Sequence, residues 1–308
     1  MKKRSLLLLS LITCIYVSAQ DYKLVLEETF EQTDLSKRWN IEINKTGGGN
    51  SEAQYYSDRN VSIERIASGE SCLVLTAKRE NYKGRPATSG RVNSANKLTV
   101  KYGKIDVRVK LPSTDNGLWP AFWMMGDDIS TVGWPKCGEI DIIEVGHADG
   151  IAQGKQDHYF NGAMHWGEDW NGGNYPNKAT HDEVPYALDQ DFQVFTLYWT
   201  PDSIKMYLNQ DKYPTAKPYF TMDISKGEGD QHVSKYFHKP FHFLANLAVG
   251  GTFTGLPYEP RKWFQNPAKD KNFMKITALP TKGDTAKMYI DYIRVYQNGT
   301  PGEELNIK

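Results

Sequence analysis

Cysteine is scarce in this chain of 308 residues: there are three, and Cys14 lies in an apolar N-terminal stretch. A disulfide framework is therefore excluded as the main source of stability. The seven histidines and the two remaining cysteines show no metal-ligand spacing, which argues against a catalytic zinc. An excess of one charge is missing too. Lys plus Arg and Asp plus Glu number 37 each, for a formal net charge of zero. With no polybasic patch, neither nucleic acid nor an anionic membrane is a natural partner, whereas a neutral polymer is. Long amphipathic helical stretches are few, and there is no internal repeat or low-complexity tract. The apolar stretch Leu6 to Val17 is too short to span a bilayer.

That stretch reads instead as part of an export signal. Lys2-Lys3-Arg4 precedes it, and Val17-Ser18-Ala19 offers a small-residue cleavage site before Gln20. Residues 1–19 are thus expected to be a signal peptide, with the protein exported to the periplasm, cell surface or medium. Leu11-Ile12-Thr13-Cys14 raises a lipoprotein alternative, against which Thr13 counts. After cleavage Cys72 and Cys137 remain, and in a large domain with its own core buried thiols are expected more than a pair. Residues 20–308 are expected to form one domain with a polar tail after 297, since 39% hydrophobic content supplies one sizeable core.

Short alternating runs recur between turn signals: Ser71–Lys78, Lys104–Lys110, Val194–Trp199, Ser203–Leu208, Phe241–Leu247 and Met288–Tyr296. Many short strands punctuated by Gly, Pro, Asn and Asp predict an all-β sandwich. The tyrosines (18) and tryptophans (8) suit either a sandwich core or a sugar-gripping surface.

The chemistry concentrates in Gly138-Glu139-Ile140-Asp141-Ile142-Ile143-Glu144. The β-branched isoleucines predict a buried strand, where acids are rare without a reason. Side chains alternate along a strand, so Glu139 and Asp141 share a face. Glu144 would point the other way unless a β-bulge at Ile142–Ile143 adds one residue and turns it back. Two glutamates around an aspartate on one face suit a retaining glycosidase, which needs carboxyls about 5–5.5 Å apart as nucleophile and acid/base. Crowding keeps one of them protonated near neutrality. Upstream, Trp119 and Trp123 have even spacing and share a face if Gly117–Gly126 is a strand, as sugar platforms or as core. Pro120 predicts an edge strand or an irregular start. Trp134, in Gly133-Trp134-Pro135-Lys136-Cys137 just ahead of the acids, is expected to bind substrate as well.

The runs Gly117–Gly126, Gly138–Glu144 and Pro240-Phe241-His242-Phe243-Leu244-Ala245-Asn246-Leu247-Ala248-Val249-Gly250-Gly251 resemble glycoside hydrolase family 16, its laminarinase-like bacterial endo-β-glucanases above all. The resemblance extends to Asn50–Tyr56, Thr88–Arg91 and Tyr289–Tyr296, nearly the whole mature chain. It implies a β-jelly roll of two curved antiparallel sheets with a substrate cleft across the concave one. It implies Glu139 as nucleophile, Asp141 as its partner and Glu144 as acid/base. It also implies that His165 lines the cleft near the acid/base, that Arg91 bonds sugar hydroxyls on the glycone side, and that Asn50 and Glu52 frame that end. Asn246 is expected to bond across the sheet or to be structural. Trp170 and Tyr175, in the polar loop Gly167 to Glu183, are expected to edge the aglycone side.

Two positions depart from the family pattern. Thr252-Phe253-Thr254 stands where many laminarinases carry a tryptophan, a difference that bears on the distal glycone subsites. Asp291 matches an aspartate that serves a structural calcium in many members, but Thr29 replaces a common acidic residue. The expectation is an exported monomeric endo-β-glucanase acting on β-1,3-glucan, mixed-linkage β-1,3-1,4-glucan or both, with no required cofactor. The alternatives are an algal galactan hydrolase (agarose, porphyran, carrageenan) and, against the presence of all three acids, a non-catalytic glucan-binding protein.

Overall fold

The computed structural model describes residues 21–308 except 33, 45–48, 230 and 260–265. The expected signal peptide, residues 1–19 with Cys14, lies outside the described residues. Among those described, strands gather into one sheet of ten and one of nine, an all-β jelly roll.

The ten-stranded sheet runs Phe220–Asp223, Ser203–Leu208, Gln193–Trp199, Gly103–Lys110, Thr285–Gln297, Ser71–Tyr82, Arg85–Ser89 and Gln54–Tyr56, with two strands appended. The pairing is antiparallel except between Gln54–Tyr56 and Arg85–Ser89. The second sheet runs Asn177–Glu183, Tyr159–His165, Glu139–Val145, Leu118–Gly126, Phe241–Val249, Arg91–Asn93 and Asn40–Ile41. Each run read from the sequence as a strand is one, extended by a few residues at most.

Alternation explains the layering. In Leu118–Gly126, Phe122 and Met124 face the core between the sheets, while Ala121, Trp123 and Met125 belong to a separate apolar cluster on the other face. In Phe241–Val249 the odd positions Phe241, Phe243, Ala245, Leu247 and Val249 enter that core. The ten-stranded sheet answers with Ile105, Val107, Leu197, Trp199, Ile290, Ile293 and Val295, all fully buried. This continuous apolar layer is the main stabilising term and holds the sheets rigid beneath the cleft.

Two details differ from the sequence reading. Pro120 is in a central strand, flanked by both Phe241–Val249 and Glu139–Val145. It is tolerated because the ladder to Glu139–Val145 starts only at Ala121, so no partner on that flank needs the missing N–H at Pro120. The polar tail also returns to the fold. Glu304–Ile307 pairs with Leu98–Lys101 as an added strand, a run too short to stand out by periodicity. Cys72 and Cys137 are both buried and free, in different apolar clusters, and burial pushes each thiol up to about 12.

The strand Glu139–Val145 carries the irregularity on which the site depends. Ala121 faces Glu144, Phe122 faces Ile143 and Trp123 faces Asp141, so Ile142 is the extra residue. Ile142 and Ile143 are both fully buried in the core. The carbonyl of Ile142, displaced from the ladder, accepts a hydrogen bond from the buried Tyr219 hydroxyl. Tyr219→Phe would leave that carbonyl without its donor, at a cost of roughly 1–3 kcal/mol. Urea unfolding should register the loss, and an unchanged midpoint would mean that the bulge does not need Tyr219.

Candidate active site

Cross-strand register arranges the open face of the nine-stranded sheet in rows. The first row reads Arg91, Asn246, Ala121, Glu144, Asn161, His181. The next reads Asn93, Leu244, Trp123, Asp141, Ala163, Ala179, and the third His242, Met125, Glu139, His165, Asn177. Glu139, Asp141 and Glu144 therefore occupy successive rows on one face. Met125 and Ala121, opposite the two glutamates, are four residues or about 13 Å apart along their strand. Long glutamate side chains leaning toward the central aspartate can close much of that gap.

Each acid is fixed by its own partners. Glu139 Oε2 accepts the indole N–H of Trp134 at 2.8 Å. Glu144 Oε1 accepts from Trp119 Nε1 at 3.0 Å, and its Oε2 accepts from Asn161 Nδ2 at 2.7 Å. Asp141 Oδ2 lies 3.2 Å from His165 Nε2, and Tyr175 Oη lies 3.2 Å from His165 Nδ1. Tyr175 also packs edge-on against Trp134, with centroids 4.7 Å apart. Tyr175 and His165 are hydrogen-bonded, and the imidazole lies at ion-pair distance from Asp141, whose Oδ2 has no hydrogen-bond partner among the described residues.

Burial sets the protonation. Glu144 is pushed up to about 8, first by desolvation and next by the charge of Asp141, with His165 and the Asn161 amide pulling it partly back. Asp141 is raised well above the ordinary carboxyl range by burial, then by the charge of Glu139 and a hydrogen bond to it. Near neutrality the cluster holds protonated carboxyl groups alongside the indole-bound Glu139. An acid kept neutral by its surroundings, set near a second carboxylate, is what general acid catalysis needs.

The other sequence-derived positions fall as follows. Trp123 donates its indole N–H to Asn246 Oδ1 at 2.8 Å, and the Arg91 guanidinium lies 5.0 Å above the Trp123 ring. Arg91 is also paired with Glu42 at 3.0 Å. Asn50 and Gln54 both donate to Glu52, whose burial lifts it to about 7. Trp170 is 55% exposed, whereas Tyr175 of the same loop reaches His165. Sequence reasoning missed Asn161, although its spacing of four from His165 on one strand puts both on the same face. It also gave no role to Phe253, which stacks on Trp119 at 4.5 Å and 9°.

Asp291 tests the calcium expectation. Its carboxylate is engaged by Arg108, and the cavity of about 460 Å³ beside it is lined by Thr29, by the acids Glu31, Glu70 and Asp211, and by Arg108, Lys212 and Arg294. Calcium takes six to eight oxygen ligands. The two positions that match the family's calcium ligands offer a carboxylate already paired with a guanidinium and a neutral threonine, which does not fit that requirement. Among the described residues, the group whose donor atoms could gather on a cation is Glu139, Asp141 and His165, within 4.8 Å of one another. Those atoms are engaged with each other in the pairs already given.

A jelly roll with two glutamates and an aspartate across one open face defines a carbohydrate-cleaving hydrolase. The profile of "Glycosyl hydrolases family 16" matches residues 48–227, and the chain belongs to that family. The Rhodothermus marinus protein named beta-glucanase is 29% identical over 96% of this chain and 95% of its own length. The glucan endo-1,3-beta-glucosidase of Cryptopygus antarcticus is 33% identical over 78% of this chain and 86% of its own. The chain spans only a third of the Tachypleus tridentatus clotting factor G alpha subunit, with 31% identity over 86% of this chain and 33% of that protein. A Bacteroides ovatus family 16 structure, described as a mixed-linkage glucan enzyme with a G4G4G3G product, has a TM-score of 0.71. It is 34% identical and covers 87% of this chain and 98% of that one. The Thermotoga petrophila laminarinase catalytic domain gives 0.66 at 29% identity, over 91% and 99%.

The raised Glu144 fixes one limb of the pH profile. If Glu144 serves as general acid it is active when protonated, so kcat/KM should hold near neutrality and fall as pH rises through about 8. Asn161→Ala removes a hydrogen bond that favours the ionised form, so it should move this limb to higher pH. A limb that stays in place would detach Asn161 from the acid.

Proposed function

We propose that this protein is an exported, retaining endo-β-glucanase that hydrolyses β-1,3-glucan, mixed-linkage β-1,3-1,4-glucan, or both, and works as a monomer. The observation that carries the reading is the register of Glu139, Asp141 and Glu144 on one face, with Glu144 held protonated. The export signal at Lys2–Ala19 supports the location. No described helix is long and apolar enough to cross a membrane.

The mechanism is a double displacement. Glu139, oriented by the Trp134 N–H, attacks the anomeric carbon and forms a glycosyl ester as the glycosidic C–O bond breaks. The proton of Glu144 passes to the departing oxygen. Glu144, now ionised, takes a proton from water, whose oxygen displaces Glu139 and restores both groups. Asp141 orients the nucleophile and is itself held by His165 and Tyr175. Arg91 and Asn246 mark the glycone end of the row. The chemistry uses these side chains alone, and the Asp291–Arg108 pair supports a reading without structural calcium.

Glu139→Gln should lower kcat by roughly 10³-fold or more while leaving folding and glucan binding intact. Comparable turnover would remove Glu139 from the mechanism. Laminarin and barley-type mixed-linkage glucan, followed by reducing ends and product size, test the substrate. Short oligosaccharides from laminarin support the β-1,3 reading. Cleavage of the mixed-linkage polymer alone narrows the enzyme to that substrate, and activity only on galactans overturns the glucanase assignment.

A further inference from the structure

The row that holds Glu144 continues past it. Asn161 faces Glu144 and His181 faces Asn161, so His181 stands two strands from the acid, roughly 10 Å at ordinary strand spacing. In the opposite direction the row ends at Arg91, three strands from Glu144. His181 is exposed on the edge strand Asn177–Glu183, yet its ring is organised. It stacks on Tyr159 at 5.2 Å and 17°, and its centroid is 4.7 Å from that of His147. His147 meets Phe253 edge-on at 4.9 Å, and Phe253 stacks on the Trp119 that donates to Glu144. An unbroken band of rings thus leads from the acid to the edge of the sheet.

Separate elements converge to build that band. Gly146 takes φ +95° at the end of Glu139–Val145, where a Cβ would lie 2.0 Å from the Leu118 carbonyl oxygen. Only glycine allows the turn that delivers His147 here. Tyr159 opens the next strand, His181 lies on the one after, and Phe253 comes from the loop beyond Phe241–Val249. Beside the band the floor is Ala163 and Ala179, small side chains that leave space above the sheet. His147 Nδ1 accepts the Asp149 backbone N–H at 3.1 Å, which leaves its Nε2 as a donor. With its acceptor taken, His147 presents a donor that a sugar hydroxyl can accept, and the rings supply flat apolar faces. The catalytic steps use neither histidine.

We propose that His181, His147 and Tyr159 form a sugar-binding subsite on the leaving-group side of the scissile bond, occupied by a glucosyl residue of the departing chain. The assignment rests on the β-glucanase reading and on Arg91 marking the glycone end. In the second half of the reaction the same subsite holds an incoming sugar, so it also favours transfer over hydrolysis.

The test compares two substrates in the full chain carrying His181→Ala. One is laminarin or mixed-linkage glucan, whichever the wild type cleaves. The other is a nitrophenyl glycoside of a short glucan, whose departing group contains no sugar. On the polymer, kcat/KM and transfer to an added glucan oligosaccharide should each fall about tenfold, with the nitrophenyl glycoside unaffected. His181→Phe, which keeps the stack and loses the nitrogens, should fall between wild type and His181→Ala on the polymer. Equal losses on both substrates, or no loss on the polymer, overturn the subsite. A wild type that cleaves neither substrate overturns the β-glucanase reading itself, a result visible before any variant is made.

Discussion

One extra residue in one strand governs the site. If Glu139–Val145 were regular, Glu144 would point into the apolar layer between the sheets and Ile143 would face the cleft. The insertion reverses both. It places Ile142 and Ile143 together in the core, where both are fully buried, and brings Glu144 opposite Ala121 and Asn161. Register errors in sheets exchange every side chain between faces, so a single inserted residue moves a carboxyl from an intolerable place to a useful one. The displaced Ile142 carbonyl is caught by Tyr219, and the strand is then clamped on both sides by its neighbours.

The same burial that strains the acids supplies their chemistry. Desolvation leads the causes that lift both Asp141 and Glu144, and neighbouring carboxylates add to it. Left to itself, such a cluster would be destabilising. The cost is limited because protonation removes charge and because indole, amide and imidazole groups meet the oxygens. The tryptophans therefore do two things that sequence alone cannot separate. Trp119 and Trp134 stand beside the cleft and also donate directly to the glutamates. Trp123 bonds Asn246 and packs under Arg91, which makes it part of the wall more than an acid holder.

How much was legible in the sequence follows from the range of each interaction. Strand periodicity, the acidic run and its bulge are local, and they were readable from Ser71–Lys78 or Glu139–Glu144 alone. Pairing between strands is not local. Asn161 and His181 gain meaning only once the ladders set them in the row of Glu144, and Phe253 only once its loop folds back on Trp119. The edge-strand half of the Pro120 reading failed for the same reason, while the late start of one ladder agrees with the irregular-start half. Proline excludes a ladder bond on one flank, and sequence could not show that the neighbouring strand ends its pairing one residue earlier. Trp170 and Tyr175 are a third case, since composition marked their loop but could not say which ring turns inward.

Linkage preference is decided along the walls of this row, because the acids are indifferent to where the polymer bends. In the proposed mechanism Glu139 and Glu144 act at one scissile point. The directions in which the chain enters and leaves are set by Arg91 with Trp123 on one side and by the small-residue floor between Tyr175 and His181 on the other. Phe253 occupies a hinge position between them, stacked on Trp119 and touching His147. A phenyl ring there covers less area than an indole and has no N–H to orient a hydroxyl. The wall at that point therefore guides the polymer by shape alone, and directional hydrogen bonding shifts outward to the two imidazoles.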